Sequence, residues 1–536
     1  MTVFRPGNTC WRTAHADRAA FLIDNEAYFT AVFDAFQKAR RSISILGWGF
    51  DPRTRMFPDG YDGPDDPDEV GRILVELACS RPELDVRLLI WRSALPIAAS
   101  QEFFPHKARR FFHNTPVKFR LDDSVPFGAC HHQKVIVIDD RLAFCGGGDI
   151  SVDRWDSPAH KDDDQRRIMP KQECHDPRHE VMMMVDGEAA RALGDLARER
   201  WFRSTGKRLD PPPDAGGEPW PDHVPAQLFD AEVAIARTEP EWKKRPAVEE
   251  IRRLTLASIA TADDLIYLEN QYFTSPVITE AIAARLSEPD GPEVVLVSTG
   301  HAPSWFDHLT MDRARGAMLW RLRAADVFGR FRAYWPATSG GDTIIVHSKV
   351  TVIDDRIVRV GSANLNNRSG GFDTECELGV ETDDEGARRQ IAAFRDRLVG
   401  HFMGQTGDAV AKARAEYGGL GRAIDALNGD GRLHVIEPLE TTAIGEFVTK
   451  HHLGDPQDTR DSWRPGRRRE RLYQEAHALT DAIIRDAARL RLELEVHHQG
   501  QVVRRDAGQW VERREDVAHN DLRADEHMID PQHRQL

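Results

Sequence analysis

His131-His132-Gln133-Lys134-Val135-Ile136-Val137-Ile138-Asp139-Asp140-Arg141-Leu142-Ala143-Phe144-Cys145 reads as a short apolar strand, a polar turn and a second strand, closed by Gly146-Gly147-Gly148-Asp149. The design returns about two hundred residues later as His347-Ser348-Lys349, Val350-Thr351-Val352-Ile353, Asp354-Asp355-Arg356 and Ile357-Val358-Arg359-Val360, followed by Gly361-Ser362-Ala363-Asn364. Residues two apart on a strand share a face, so each H-x-K sets an imidazole beside an ammonium. A lone H-x-K-x4-D reads equally well as polar residues on an ordinary strand. Two copies at equivalent places of a repeat do not.

Outward from the hairpins the repeat extends on both sides. Residues 31–41 form an amphipathic helical stretch that runs into Ser42-Ile43-Ser44-Ile45-Leu46 and Gly47, and apolar runs follow at 86–90 and 117–119. The second copy shows a helical stretch at 248–262 and strand-like runs at 265–268, 294–297 and 331–334. The order of elements predicts a mixed α/β chain. Between the copies, the Pro- and Gly-rich residues 210–221 mark an exposed linker. The expected organisation is a first lobe over 1–209, a connecting segment over 210–245, a second lobe over 246–405 and a partly helical extension over 406–536. That extension carries a basic run at 464–471 and an amphipathic stretch at 472–494.

The net charge of -15 sets the whole-molecule field against polyanions, so nucleic acid is an unfavourable partner. No run approaches the roughly 18 apolar residues of a bilayer-spanning helix, and the first residues lack the pattern of an export signal. Six scattered cysteines form no C-x2-C pair, which fits a reducing cytoplasm or the membrane surface facing it and leaves export by another route open.

The paired motifs supply what a phosphodiester needs: cations for the equatorial oxygens, a nucleophile in line with the leaving oxygen, and an acid behind that oxygen. One histidine cannot be nucleophile and acid in the same step, whereas two facing copies of H-x-K provide both. The candidate catalytic set is His132, Lys134 and Asp139 with His347, Lys349 and Asp354. Within it, Asp139 and Asp354 open D-D-R turns, where turn chemistry alone favours aspartate, and they are expected to brace the hairpins.

These motifs resemble those of the phospholipase D superfamily over roughly residues 20–405. Ile43-Ser44-Ile45-Leu46-Gly47-Trp48, His131-His132-Gln133-Lys134, Gly146-Gly147-Gly148-Asp149 and Leu268-Glu269-Asn270-Gln271-Tyr272-Phe273 are similar to its lipid-cleaving branch. The resemblance implies two similar α/β/α lobes with mixed sheets, related by a pseudo-twofold axis around one metal-free and cofactor-free site. It implies His132 as nucleophile, His347 as general acid, and Lys134, Lys349, Ser362 and Asn364 at the phosphate oxygens. In that family a carboxylate a few dozen residues after each motif orients a histidine, and the matching positions are Glu180 and Glu375. The first copy departs from the second in having Gly147 and Asp149 where the second has Ser362 and Asn364, and Asp149 is expected to brace its loop.

Trp48, Trp91, Trp305 and Phe306 follow predicted strands on the side where open α/β sheets bind ligands. Trp305 and Phe306 are the candidates for lipid contact; Trp48 and Trp91 fit core packing equally well. Lys161-Asp162-Asp163-Asp164 reads as a solvated polar loop, and no metal is expected in either motif. The expected activity is hydrolysis of a glycerophospholipid to phosphatidate and free alcohol at a membrane surface, with transphosphatidylation when an alcohol replaces water. The alternatives are a phosphatidyltransferase of the cardiolipin- or phosphatidylserine-synthase type, a nuclease of the same superfamily, and an inactive binding module.

Overall fold

Asp139, Asp140, Asp354 and Asp355 all have φ between 53° and 55°. Aspartate is among the few residues that tolerate this left-handed region. Positive φ at both central positions is the mirror-image turn that follows the twist of antiparallel hairpin strands. In this computed structural model, which describes residues 2–58, 68–93, 105–170, 173–214, 216–301, 311–429, 431–438 and 455–456, those two turns sit at equivalent points of two similar halves. Trp305, Phe306 and the stretch 464–494 lie outside the described residues.

The first half contributes β1 (Arg12–Ile23), β2 (Ser42–Gly47), β3 (Asp85–Trp91), β4 (Lys118–Asp122), β5 (Val135–Ile138), β6 (Leu142–Gly146), β7 (Arg178–His179) and β8 (Val181–Asp186). The second contributes β9 (Leu228–Glu239), β10 (Val248–Glu249), β11 (Leu265–Asn270), β12 (Glu293–Val297), β13 (Phe331–Pro336), β14 (Ile345–Val346), β15 (Lys349–Ile353), β16 (Ile357–Gly361), β17 (Glu375–Glu381) and β18 (Leu433–Val435). The main sheet runs β18-β13-β12-β11-β15-β16-β17-β9-β1-β8-β6-β5-β2-β3-β4, with β10 beside β9. From the seam at β9 and β1 outward, the two halves repeat one order of strands, and among the described residues β10 and β18 have no counterpart in the first half. In each half the three outer strands of the repeat are parallel and the rest antiparallel.

The two lobes therefore share one continuous sheet, joined where β1 lies antiparallel to β9 with Ala14 opposite Val233 and Ala16 opposite Ala231. Neither central strand is visible as a strand pattern in the sequence, and β9 falls inside the stretch 210–245 that was expected only to connect. A second, two-stranded sheet pairs β7 parallel with β14, Ile345 opposite Arg178 and Val346 opposite His179, and so ties the halves together again.

Alternation along the hairpin strands sorts side chains between layers. Val135 and Val137, with Val350, Val352, Val358 and Val360, enter one core that spans both halves under the helices Gly187–Thr205 and Glu385–Met403. Ile136 and Ile138 face the opposite side, against the helices Asp24–Lys38 and Val70–Ser80. The second half has its own opposite core around Ile266, Leu268, Val294 and Leu296. Beyond residue 405 the helices Gly407–Tyr417 and Leu420–Leu427 add Val410, Leu420 and Ile424 to the shared core, and β18 extends the sheet beside β13.

Candidate active site

The first aspartate of each D-D-R turn is committed to backbone. Asp139 accepts from the amides of Arg40, Arg41 and Ser42 at 2.7–2.8 Å, and Asp354 accepts from those of Asp263, Asp264 and Leu265 at the same distances. Each thereby clamps the turn that delivers a helix into β2 or β11. The second aspartates take an arginine from the helix that follows the hairpin, Asp140 from Arg198 and Asp355 from Arg395. At about 3.3 Å per residue, the span of β5 puts Asp139 some 15 Å from Lys134. Asp139 and Asp354 brace the hairpins, at the ends remote from the histidines.

At the other end of those strands the two halves exchange partners. The His132 N–H donates to the Thr374 carbonyl at 2.9 Å, and the His347 N–H donates to the His179 carbonyl at 2.9 Å. Each histidine is thus laid beside the residue that precedes the other half's glutamate. His132 Nδ1 is 2.9 Å from Glu375 Oε2 and 3.1 Å from Oε1, while His347 Nδ1 is 2.6 Å from Glu180 Oε1. The family pattern points to these two glutamates, but the sequence does not reveal that each serves the histidine of the opposite copy.

The carboxylates are not equally supported. Glu375 also accepts from Ser362 Oγ at 2.5 Å and Ser369 Oγ at 2.6 Å, and Ser369 in turn accepts the Asn364 N–H at 3.0 Å. Glu180 has no such hydroxyls among the described residues. At the position equivalent to Ser362, a Cβ on Gly147 would sit 2.7 Å from Glu180 Oε2 and 2.8 Å from the His347 carbonyl, so only glycine fits. Ser362 was expected at the phosphate; it is fully buried with its proton given to Glu375, and it supports the carboxylate instead. Asn364 lines a cavity with Lys349, and its carboxamide oxygen meets no protein donor among the described residues.

Both lysines fold back on their own motif, Lys134 Nζ donating to the His132 carbonyl at 2.9 Å and Lys349 Nζ to that of His347. Lys134 also lies 3.4 Å from Asp149, whose carboxylate accepts from the amides of Trp48 and Gly49. Asp149 braces its loop, as expected. Trp48 stacks on the buried Trp91 with ring centres 5.7 Å apart, so this pair belongs to the packing of the first half. Asp162 takes Thr338, Ser339 and the Gly340 amide, and Asp164 caps a short helical turn at Gln165–Arg167.

Burial and then the charges of Lys134 and Lys349 hold His132 well below the usual imidazole range. His347 is held down by burial, then by Lys349, Arg154 and Arg178. Each histidine feels the lysine of the other motif, which makes this a single site shared by two halves. Arg154 and Arg178, both buried, lie on the polar stretch between β6 and β8 and carry no motif that marks them in the sequence. Burial pushes Glu375 up to about 7 and raises Glu180, and it brings Lys349 down to about 7.

A repeat-built sheet with two H-x-K pairs and exchanged carboxylates is the arrangement of a two-motif phosphodiesterase-type enzyme. Family models described as "Phospholipase D" and "Cardiolipin synthase, PLD-like domain" match residues 35–277 and 255–398. The chain belongs to the phospholipase D superfamily. It is 24% identical to phospholipase D alpha 4 of Arabidopsis thaliana, over 68% of this chain and 62% of that protein. It is also 24% identical to phospholipase D2 of Bos taurus, over 68% and 49%. The chain thus spans less than two thirds of either relative. Cardiolipin synthase A of Pseudomonas aeruginosa is 24% identical over 70% of this chain and 66% of its own length. In fold, the chain is similar to the crystal structure of phosphatidylserine synthase from Haemophilus influenzae Rd KW20, with a TM-score of 0.50, 13% identity, and coverage of 82% of this chain and 93% of that one.

Proposed function

We propose that this protein is a phospholipase D that hydrolyses a glycerophospholipid to phosphatidate and a free head-group alcohol. The observation that carries the reading is the exchanged pair, in which each histidine is backed by the other half's carboxylate amid Lys134 and Lys349. With Nδ1 tied to Glu375, His132 presents Nε2 to phosphorus. Its attack forms a P–N bond as the P–O bond to the head group breaks, and protonated His347 gives its proton to the departing alkoxide. Water then attacks the phosphohistidine and loses a proton to His347, which releases phosphatidate and restores His132.

In the free site burial and then the neighbouring cations hold both imidazoles down, which suits His132 as a neutral base and works against His347 as an acid. A phosphodiester anion between Lys134 and Lys349 offsets that repulsion and raises both rings. Substrate binding thereby equips the acid. Lys134, Lys349 and Asn364 are the groups for the phosphate oxygens. Contact is peripheral: no helix among the described residues is long and apolar enough to cross a membrane, and Phe127, 82% exposed five residues before His132, offers an apolar side chain to a lipid surface. Trp305 and Phe306 are proposed to join it.

The test is the purified full chain with phosphatidylcholine, with cardiolipin, and with a DNA diester, following choline, phosphatidate and nicked DNA. Choline and phosphatidate in equal amounts are expected, with phosphatidyl alcohol replacing phosphatidate when a primary alcohol is added. Nicked DNA without lipid turnover would make the protein a nuclease, and transfer to a glycerol acceptor without hydrolysis a phosphatidyltransferase. A quenched reaction should carry the phosphatidyl group on His132 and lose it in His132→Ala; an adduct on His347 in that variant would reverse the two roles.

A further inference from the structure

Behind His347, four side chains that play no part in the chemistry above converge on one point. Asp24 opens the helix Asp24–Lys38, His160 lies on the loop after β6, His179 is in β7, and His401 is in the last turn of the helix Glu385–Met403. One donor atom from each lies within 4.8 Å of all the others; Asp24, His160 and His179 are buried and His401 is partly so. His160 Nε2 is 2.7 Å from His401 Nε2 and 3.7 Å from Asp24 Oδ2; His401 Nε2 is 3.2 Å from that same oxygen. His179 Nδ1 is 2.8 Å from Asp24 Oδ1.

The outer nitrogens of two rings are already taken. His160 Nδ1 faces Asp156 Oδ2 at 2.8 Å, and His179 Nε2 faces Glu269 Oε2 at 2.9 Å. Both carboxylates are themselves anchored, Asp156 by the amides of Ser157 and Arg178, Glu269 by the hydroxyls of Tyr267 and Ser348. Those contacts leave His160 Nε2 and His179 Nδ1 as the ring atoms that face the centre. His401 has one proton at most to offer there. Asp24 Oδ2 meets no hydrogen-bond donor in bonding geometry among the described residues, although it is fully buried. Asp24 moreover holds a φ of 66°, an uncommon conformation that persists only where its surroundings enforce it. Three imidazoles and a carboxylate that converge on one point, two of the rings held from their far sides by anchored carboxylates, is how proteins build metal sites.

We propose that Asp24, His160, His179 and His401 form a closed structural site for a zinc-class divalent cation. Three imidazoles and one carboxylate suit zinc and its first-row neighbours, whereas calcium and magnesium prefer oxygen ligands throughout. Four protein ligands leave no open position, so the ion holds structure and takes no substrate. Metal–nitrogen bonds of about 2.0–2.1 Å in a tetrahedron place ligand atoms about 3.4 Å apart, so His160 and His401 part slightly as the ion enters. It joins three ligands of the first half to one of the second. The Asp24 N–H donates to the Glu180 carbonyl at 2.8 Å, and the His179 carbonyl accepts the His347 N–H, so the ion fixes the strand ends that carry the carboxylate and the histidine.

The full chain, produced with zinc in the medium and exchanged into metal-free buffer, is expected to retain one equivalent of zinc by mass-spectrometric metal analysis. Replacement by cobalt should give the strong visible ligand-field bands of a four-coordinate ion. Both signals should disappear in His160→Gln/His401→Gln. If that variant does not fold, anomalous diffraction at the zinc edge from crystals of the unaltered chain decides, with the peak expected between these four side chains. A chain that takes up no zinc or cobalt, or a peak elsewhere, overturns the site and leaves protons as the only charge at the centre. None of these readouts depends on turnover, so the result stands apart from the proposed activity.

Discussion

Exchange of carboxylates between the halves makes Glu375→Gln and Glu180→Gln opposite in effect, although the two residues hold equivalent places in the repeat. Glu375 lies 2.9 Å from His132 Nδ1 and gathers the hydroxyls of Ser362 and Ser369. As His132 becomes a phosphohistidine its ring gains positive charge, which the carboxylate stabilises and a carboxamide of the same shape does not. A hydrogen bond to a charged group contributes about 1.5–3 kcal/mol, which at about 1.4 kcal/mol per decade slows adduct formation roughly 10- to 150-fold. Glu180 supports His347, whose proton a p-nitrophenolate leaving group does not need. With a p-nitrophenyl phosphatidyl ester, rapid-quench measurement should therefore show Glu375→Gln with a slowed burst. Glu180→Gln should keep the burst and lose steady-state turnover, because His347 still has to activate water. A burst lost in Glu180→Gln and kept in Glu375→Gln would refute the exchange and restore pairing within each copy.

Lys349→Met removes one of the charges that depress His132, so the acid limb of kcat/KM, where neutral His132 is required, should move to higher pH; an unmoved or lowered limb in the pH profile would contradict that electrostatic origin. Asp139→Ala leaves three part-buried backbone amides without their acceptor and should cost about 3 kcal/mol of stability by urea denaturation, and Asp354→Ala, two of whose three amides can turn to water, about 1–2 kcal/mol, each with kcat retained in the folded fraction. A fall in kcat at unchanged stability would put them in the chemistry. His347→Ala should let the adduct on His132 accumulate with the p-nitrophenyl ester and abolish release of choline from phosphatidylcholine, as followed by mass spectrometry and choline assay.

The hairpins, the placement of His132 and His347, and both glutamates were legible because a repeat states each pattern twice. The rest depends on contacts distant in sequence. β1 begins Arg-Thr-Ala-His-Ala-Asp-Arg, where the apolar positions are only alanines and Thr13 is the one β-branched residue, a weak strand signal, and it becomes a strand because β8 and β9 offer it edges on both sides. The exchange of Glu180 and Glu375 follows from the pairing of β7 with β14 and of His131 with Thr374, which no local pattern encodes. Ser362 reads as a phosphate ligand because it and Asn364 are neutral hydrogen-bond donors where the first copy has Gly147 and Asp149; its burial against Glu375 is a matter of depth. His160, His179 and His401 share no spacing, since three separate elements bring them together.

The seam between β1 and β9 has a consequence for the polypeptide as a whole. Severing the chain between the helix Gly187–Thr205 and β9 would turn an internal strand pair into two matching open edges, each with its row of amides and carbonyls unsatisfied. Separately produced pieces would hold one histidine and the wrong glutamate for it, inert alone and restored on mixing by fragment complementation. Left by itself, the first piece would find its nearest substitute for β9 in the β1 of a twin, and the outcome would be a homodimer with a twofold axis where the intact protein has only an approximate one.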